Sequence, residues 1–171
     1  MNEIFMKDIH PHSTTLRRQR SQSGFSLIEL LIVVAIIGIL VAIIVPTYKN
    51  SVIKANETSA IASLTRIRES QINYSMGKKG EFATFDQLLA NEFLNERFAG
   101  DTPVVDGYVF EMKVNPKSSS APSSFAVNAN PQVSTGINQT GRRFFYIDNN
   151  VGNVRENQTG AAQATDPPIG N

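Results

Sequence analysis

Gly24, Phe25 and Glu29 are the residues whose types and spacing suggest chemistry. They stand at the head of a long apolar run, SGFSLIELLIVVAIIGILVAIIVPTY, over residues 23–48. A carboxylate near the start of such a run is expensive. At the centre of a membrane helix a charge costs about 2.5–3.5 kcal/mol on insertion scales, and less towards the interface. Depth alone would let Glu29 snorkel into headgroups as a passive interfacial residue. Its neighbours suggest more. A cut after Gly24 gives Phe25 a free α-amine at i, i+4 spacing from the carboxylate. In a site of low dielectric constant that amine can neutralise Glu29, in its own helix or in a neighbouring one.

Most other catalytic chemistry is excluded by composition. The 171 residues include no cysteine, and the two histidines, His10 and His12, lie in the N-terminal flank. Beyond residue 24 there is no His-based triad, no Cys nucleophile and no His or Cys metal ligand. Carboxylate catalysis through residues such as Asp86 or Glu111 is the remaining enzymatic route and the least favoured reading. Asp148-Asn149-Asn150 resembles a turn more than a calcium loop, because the EF-hand acids are missing. No cofactor or metal is expected. Three glycosylation sequons, at Asn56, Asn138 and Asn157, carry little weight in a chain rich in Asn and Thr. A formal net charge of +1 gives no support for a nucleic-acid partner.

The apolar run itself predicts a membrane-length helix. Leu30 to Val45 holds no charge and is interrupted only by Gly38. Phe25 to Val45 spans roughly 30 Å at the helical rise, the thickness of a hydrocarbon core. That exceeds a secretory h-region, and no small-x-small cleavage pattern follows. Arg17, Arg18 and Arg20, with Lys7 further back, outweigh Glu3 and Asp8 ahead of the run. This positive-inside signal predicts a cytoplasmic N-terminus and an exported remainder.

Past Pro46 the pattern stays helical but becomes amphipathic. Ile53, Ala60, Ile61, Leu64, Ile67 and Tyr74 fall on one side, with Lys54, Thr58, Thr65 and Glu69 largely elsewhere. The stripe is best read as packing against the protein's own head. From Phe25 to about Met76 the helix would be about 75–80 Å long. Gly38 and Pro46 bracket a stretch that can soften, since glycine lowers propensity and proline leaves the Ala42 carbonyl without its donor.

The head reads as α+β. MGKKGEF (76–82) ends the long helix. Thr84 and Gln87 make a capping box that opens a short helix through Leu88 and Leu89 towards Leu94. Four strand-like segments follow Gly107: Tyr108–Val114, Phe125–Ala129, Phe145–Ile147 and a weaker run near Val154. The aromatics Phe144, Phe145 and Tyr146 are assigned to the sheet. KSSSAPSS and STGINQTG read as flexible connections, and the closing DPPIGN as a pinned or frayed end. Without cysteine there is no disulfide staple, so the head depends on its own core. A small antiparallel sheet laid over the outer half of a long helical spine buries both apolar faces.

The stretch GFSLIELLIVVAIIGILVAIIVPTY resembles the N-terminal segment of type IV pilins and of the pseudopilins of type II secretion systems. KANETSAIASLTRIRESQINYS and the tail TDPPIGN resemble such sequences more loosely. The leader is longer than many pilin leaders. The resemblance implies that a membrane prepilin peptidase/methyltransferase cuts between Gly24 and Phe25 and methylates Phe25. It implies that Glu29 serves methylation or subunit docking, and that regular helix between Gly38 and Pro46 is lost on assembly. The implied organisation is a removed basic leader (1–24), a transmembrane and filament-core helix (25–46) and a globular head (47–171). The implied function is a structural subunit of a type IV pilus or type II secretion pseudopilus, not an enzyme, that starts as a single-pass inner-membrane precursor and ends in a periplasmic or cell-surface filament. Its partners would be copies of itself, other pilin-like subunits and an inner-membrane assembly platform. The absent cysteines remove the disulfide-closed C-terminal loop of many adhesive pilins, which tilts the reading towards a pseudopilin-like or short filament. The alternative is an uncleaved bitopic protein displaying a binding head.

Overall fold

A computed structural model of the chain describes residues 24–170. The arginines and lysine of the predicted leader lie outside the described residues. The first helix, α1, spans Leu27–Gly77, followed by α2 (Phe85–Ala90) and a 3₁₀ turn at Glu96–Phe98. Five strands complete the order: β1 (Val104–Val105), β2 (Tyr108–Asn115), β3 (Ser124–Pro131), β4 (Phe144–Asp148) and β5 (Arg155–Asn157). The chain forms two compact units that meet between Val41 and Ala42. The unit from Ala42 onward is the head.

All five strands are antiparallel neighbours in chain order, a plain meander. The central pair runs from Tyr108↔Pro131 to Asn115↔Ser124, and β4 adds Val127↔Ile147 and Ala129↔Phe145. Period-two alternation puts Phe125, Val127 and Ala129 on one face of β3, where all are buried. Tyr108 and Phe110 are buried on the matching face of β2, while Met112 and Val114 are half-buried beyond them. That face meets the α1 stripe of Ala60, Leu64 and Ile67, with Phe85, Leu88 and Phe98 filling the end of the core. Phe98 meets Phe110 edge-on at 5.5 Å, and Phe82 meets Phe125 at 4.8 Å.

The Thr84–Gln87 capping box forms as the sequence predicts. The helix it opens stops at Ala90 rather than running towards Leu94, and Glu92 takes a positive φ of 60° just beyond. The sheet also gains a strand that the sequence reading omits. Val105 and Tyr108 are joined by Asp106 and Gly107, both at positive φ (47° and 76°), the signature of a type I′ hairpin. Asp106 ties this hairpin down by accepting hydrogen bonds from Ser59 Oγ (2.5 Å) and Arg97 Nη2 (2.7 Å). Those donors hold its carboxyl below the usual aspartate range.

Polar groups stitch α1 to the rest. Gln71 is fully buried and mimics a strand partner: its Nε2 donates to Ala83 O (2.6 Å) and its Oε1 accepts from Ala83 N (2.9 Å). Glu57 is 5% exposed on the same helix. Its carboxylate accepts from the backbone amides of Arg142 (2.9 Å) and Arg143 (3.3 Å) and from Arg143 Nε (2.8 Å). Arg143 Nη1 continues to Glu156 on β5 at 2.6 Å. Tyr108 Oη donates to Arg143 O at 2.8 Å. The STGINQTG segment is bound to the helix rather than a free connection, through Lys49 Nζ→Ile137 O (3.2 Å) and Asn56 Nδ2→Thr140 O (2.9 Å).

The chain end is pinned. Ile169 N donates to Val154 O (3.0 Å), Glu156 N to Pro167 O (2.9 Å), and Asn128 Nδ2 to Ala162 O (2.7 Å). Asp166 accepts from its own tail at Gln163 N (2.8 Å) and from Asn157 Nδ2 (3.2 Å). The Asp148-Asn149-Asn150 segment is a turn, with Asp148 Oδ1 accepting from the amides of Asn150 and Val151.

Three outcomes follow from this packing. Glu57→Ala leaves a guanidinium and two amides without their acceptor and should cost about 3–5 kcal/mol in urea unfolding; Glu57→Gln, which keeps the shape, should cost less. A Cβ on Gly141 would run into the Tyr108 ring and hydroxyl, so Gly141→Ala should cost about 1–3 kcal/mol. Gly152→Ala meets nothing and should leave the unfolding midpoint nearly unchanged. Burial pushes the Tyr108 phenol far up, and burial with the Asp148 hydrogen bond pushes Tyr146 up to about 12. The fold holds both phenols neutral, so this stabilisation is complete below the ordinary value of 10.0 and is lost as pH rises towards 12. Tyr146→Phe should flatten the alkaline fall in stability followed by circular dichroism.

Candidate functional site

The candidate site is the N-terminal segment, built from two local rules. First, Leu27–Val45 is apolar on every side of the helix rather than along one stripe. Such a helix requires a nonaqueous surrounding or other helices around it. No large apolar side chain from Leu27 to Val45 is less than 44% exposed, and α1 is long and apolar enough to cross a membrane.

Second, the helix start is capped. Ser26 immediately precedes Leu27, and Leu30 N donates back to Ser26 O at 3.2 Å. The Ser26 amide donates to Glu29 Oε2 at 2.9 Å. This is the glutamate half of a capping box, S-x-x-E at residues 26–29. It gives Glu29 a structural task in the uncut chain: satisfying a first-turn amide at the positive end of the helix dipole. The sequence reading misses this cap, although the spacing is the same as at Thr84–Gln87.

Gly24 and Phe25 precede the helix, and Phe25 is 81% exposed. Among the described residues nothing demands a glycine at 24, since an added Cβ there meets no atom within 4 Å. The same holds at Gly38. Regular helix runs through both Gly38 and Pro46. Around Pro46, Thr47 Oγ1 donates to Ile43 O (3.1 Å) and Ser51 Oγ to Thr47 O (3.0 Å). These hydroxyls share carbonyls in a turn where proline has removed an amide donor. Asp86 and Glu111, the carboxylates of the enzymatic reading, are both exposed and sit on different elements, α2 and β2. No cluster of metal-ligating side chains occurs among the described residues.

A family model described as the prokaryotic N-terminal methylation motif matches residues 19–45. The type IV narrow pilus major component PilA5 of Thermus thermophilus is 43% identical over 68 residues, covering 40% of this chain and 58% of that protein. A fimbrial protein of Pseudomonas aeruginosa is 45% identical over 49 residues, covering 29% of this chain and 32% of that protein. The type II secretion system core protein G of Aeromonas hydrophila is 30% identical over 86 residues, covering 50% of this chain and 59% of that protein. The chain thus spans less than two thirds of the length of these relatives. No solved structure matches it. The site at Gly24–Val45 is a prokaryotic N-terminal methylation motif, in a chain whose relatives are type IV pilins, fimbrial proteins and a type II secretion core protein.

Proposed function

We propose that this chain is a prepilin-type structural subunit, not an enzyme, which polymerises through Phe25–Val45 into a type IV pilus or type II secretion pseudopilus. One coincidence carries the reading: the methylation motif falls on a helix exposed on all sides, with a single acid at its start. The basic leader keeps the N-terminus in the cytoplasm and the head outside it. A prepilin peptidase/methyltransferase cuts between Gly24 and Phe25 and methylates Phe25. The glycine that the described residues do not need for packing is then needed by that enzyme.

Assembly is an exchange of surroundings. The helix leaves lipid for a bundle of like helices, so apolar contact is retained, and the new Phe25 amine competes with the Ser26 amide for Glu29. Copies of the chain, other pilin-like subunits and an inner-membrane platform are the partners. Pro46, with the Ala42 carbonyl left free, and Gly38 bound the stretch that gives up regular helix in the filament.

Intact-mass measurement on membrane-extracted protein tests the processing. Loss of residues 1–24 with gain of one methyl group is expected. A chain beginning at Met1 in native fibres would overturn the reading and favour an uncleaved anchor with a binding head. Glu29→Val should still insert and export its head, yet fail in filament assembly or methylation. Normal filaments from that variant would remove Glu29 from docking.

A further inference from the structure

The segment Val133–Thr140 ends in an apolar tip that the core does not use. Ile137 is 80% exposed, yet its loop is held in one shape. Thr140 N donates to Val133 O (2.8 Å), Val133 N to Thr140 Oγ1 (3.1 Å), and Gln139 Nε2 to Ser134 O. Two further bonds fix its level along α1: Lys49 Nζ→Ile137 O (3.2 Å) and Arg142 Nη2→Asn50 Oδ1 (2.9 Å). Lys49 and Arg142 make no ion pair among the described residues. Tyr48, one turn past the end of the apolar run, is 68% exposed.

We propose that Ile137, Tyr48, Lys49 and Arg142 form a foot that rests on the lipid headgroups while the subunit is held in a membrane. The proposal rests on the membrane reading of Leu27–Val45. Depth supports it. The apolar run stops at Val45, and Lys49 lies four residues on, about 6 Å along the helix. The headgroup region on each side of a bilayer is about 5–7 Å thick, from a total of about 40–45 Å and a core of about 30 Å. Lys49, and the Ile137 carbonyl bonded to it, therefore sit at headgroup depth. The chemistry fits that depth: an aromatic ring of the kind enriched at interfaces, two cations for phosphates, and an aliphatic tip for the acyl boundary. Because the loop is already fixed, inserting Ile137 loses little conformational freedom.

The cysteine-free chain allows a direct test. The full chain is placed in phosphatidylethanolamine–phosphatidylglycerol vesicles with one fluorophore-labelled cysteine, at Asn138→Cys beside the tip, Ser119→Cys in the β2–β3 loop, or Val41→Cys in the span. Headgroup-nitroxide lipid should quench the label at 138 about threefold more than the one at 119, and adding Ile137→Asp should remove about half of that quenching. Equal quenching at 138 and 119, with the label at 41 quenched by chain-nitroxide lipid, overturns the foot and leaves the span standing. No quenching at 41 overturns the span and the foot together. Protection at 138 that depends on protein density rather than on nitroxide lipid assigns the tip to a second copy and also overturns the proposal.

Discussion

Between Leu27 and Val45 the helix satisfies its own backbone and presents hydrocarbon in every direction, so its surroundings must be apolar. Its first turn is the one place where polar groups remain to be met. There Glu29 accepts the Ser26 amide, so the acid enters apolar surroundings already hydrogen-bonded. Two states of one carboxylate follow from the proposed processing. Before the cut it is a cap; afterwards an ammonium group is available within a turn, a stronger partner than a neutral amide. The same cut that removes the leader thereby changes the balance at the helix end.

The head answers a different constraint, holding a small sheet on one long helix without a covalent staple. Apolar burial supplies the bulk of that attachment, through Leu64 and Ile67 against the aromatics of β2, β3 and β4. Polar stitches set the alignment. Glu57 meets the entry to β4, Gln71 meets the segment before α2, and Asp106 ties the β1–β2 hairpin to Ser59. Each couples a different point along α1 to a different element, which fixes both rotation and height of the helix against the sheet.

Much of this is legible in the sequence because two periodicities change cleanly along it. Continuous apolarity gives way to a helical stripe after Pro46, and that gives way to alternation after Gly107. The parts that escape are those where side-chain type misleads. Glu57 and Gln71 look solvent-facing at helical positions, and the partners that bury them lie 86 and 12 residues away. The β1 strand is only two residues long, too short for any period, although Asp106-Gly107 announces its turn. STGINQTG has the composition of a loose linker, and only its distant partners on α1 hold it still. At the site, Ser26-x-x-Glu29 carries an ordinary capping signal that is hidden beneath the more unusual chemistry of its glutamate.

The pinned chain end has a mechanical consequence. Its closing strap is held to β5 by Ile169→Val154 and Glu156→Pro167 bonds and to β3 by Asn128, with no sulfur bridge. If neighbouring subunits in a fibre bear tension through their helices, this strap carries none of the load. A pull applied to the last residues would open it bond by bond, at low force, while the sheet beneath stays whole.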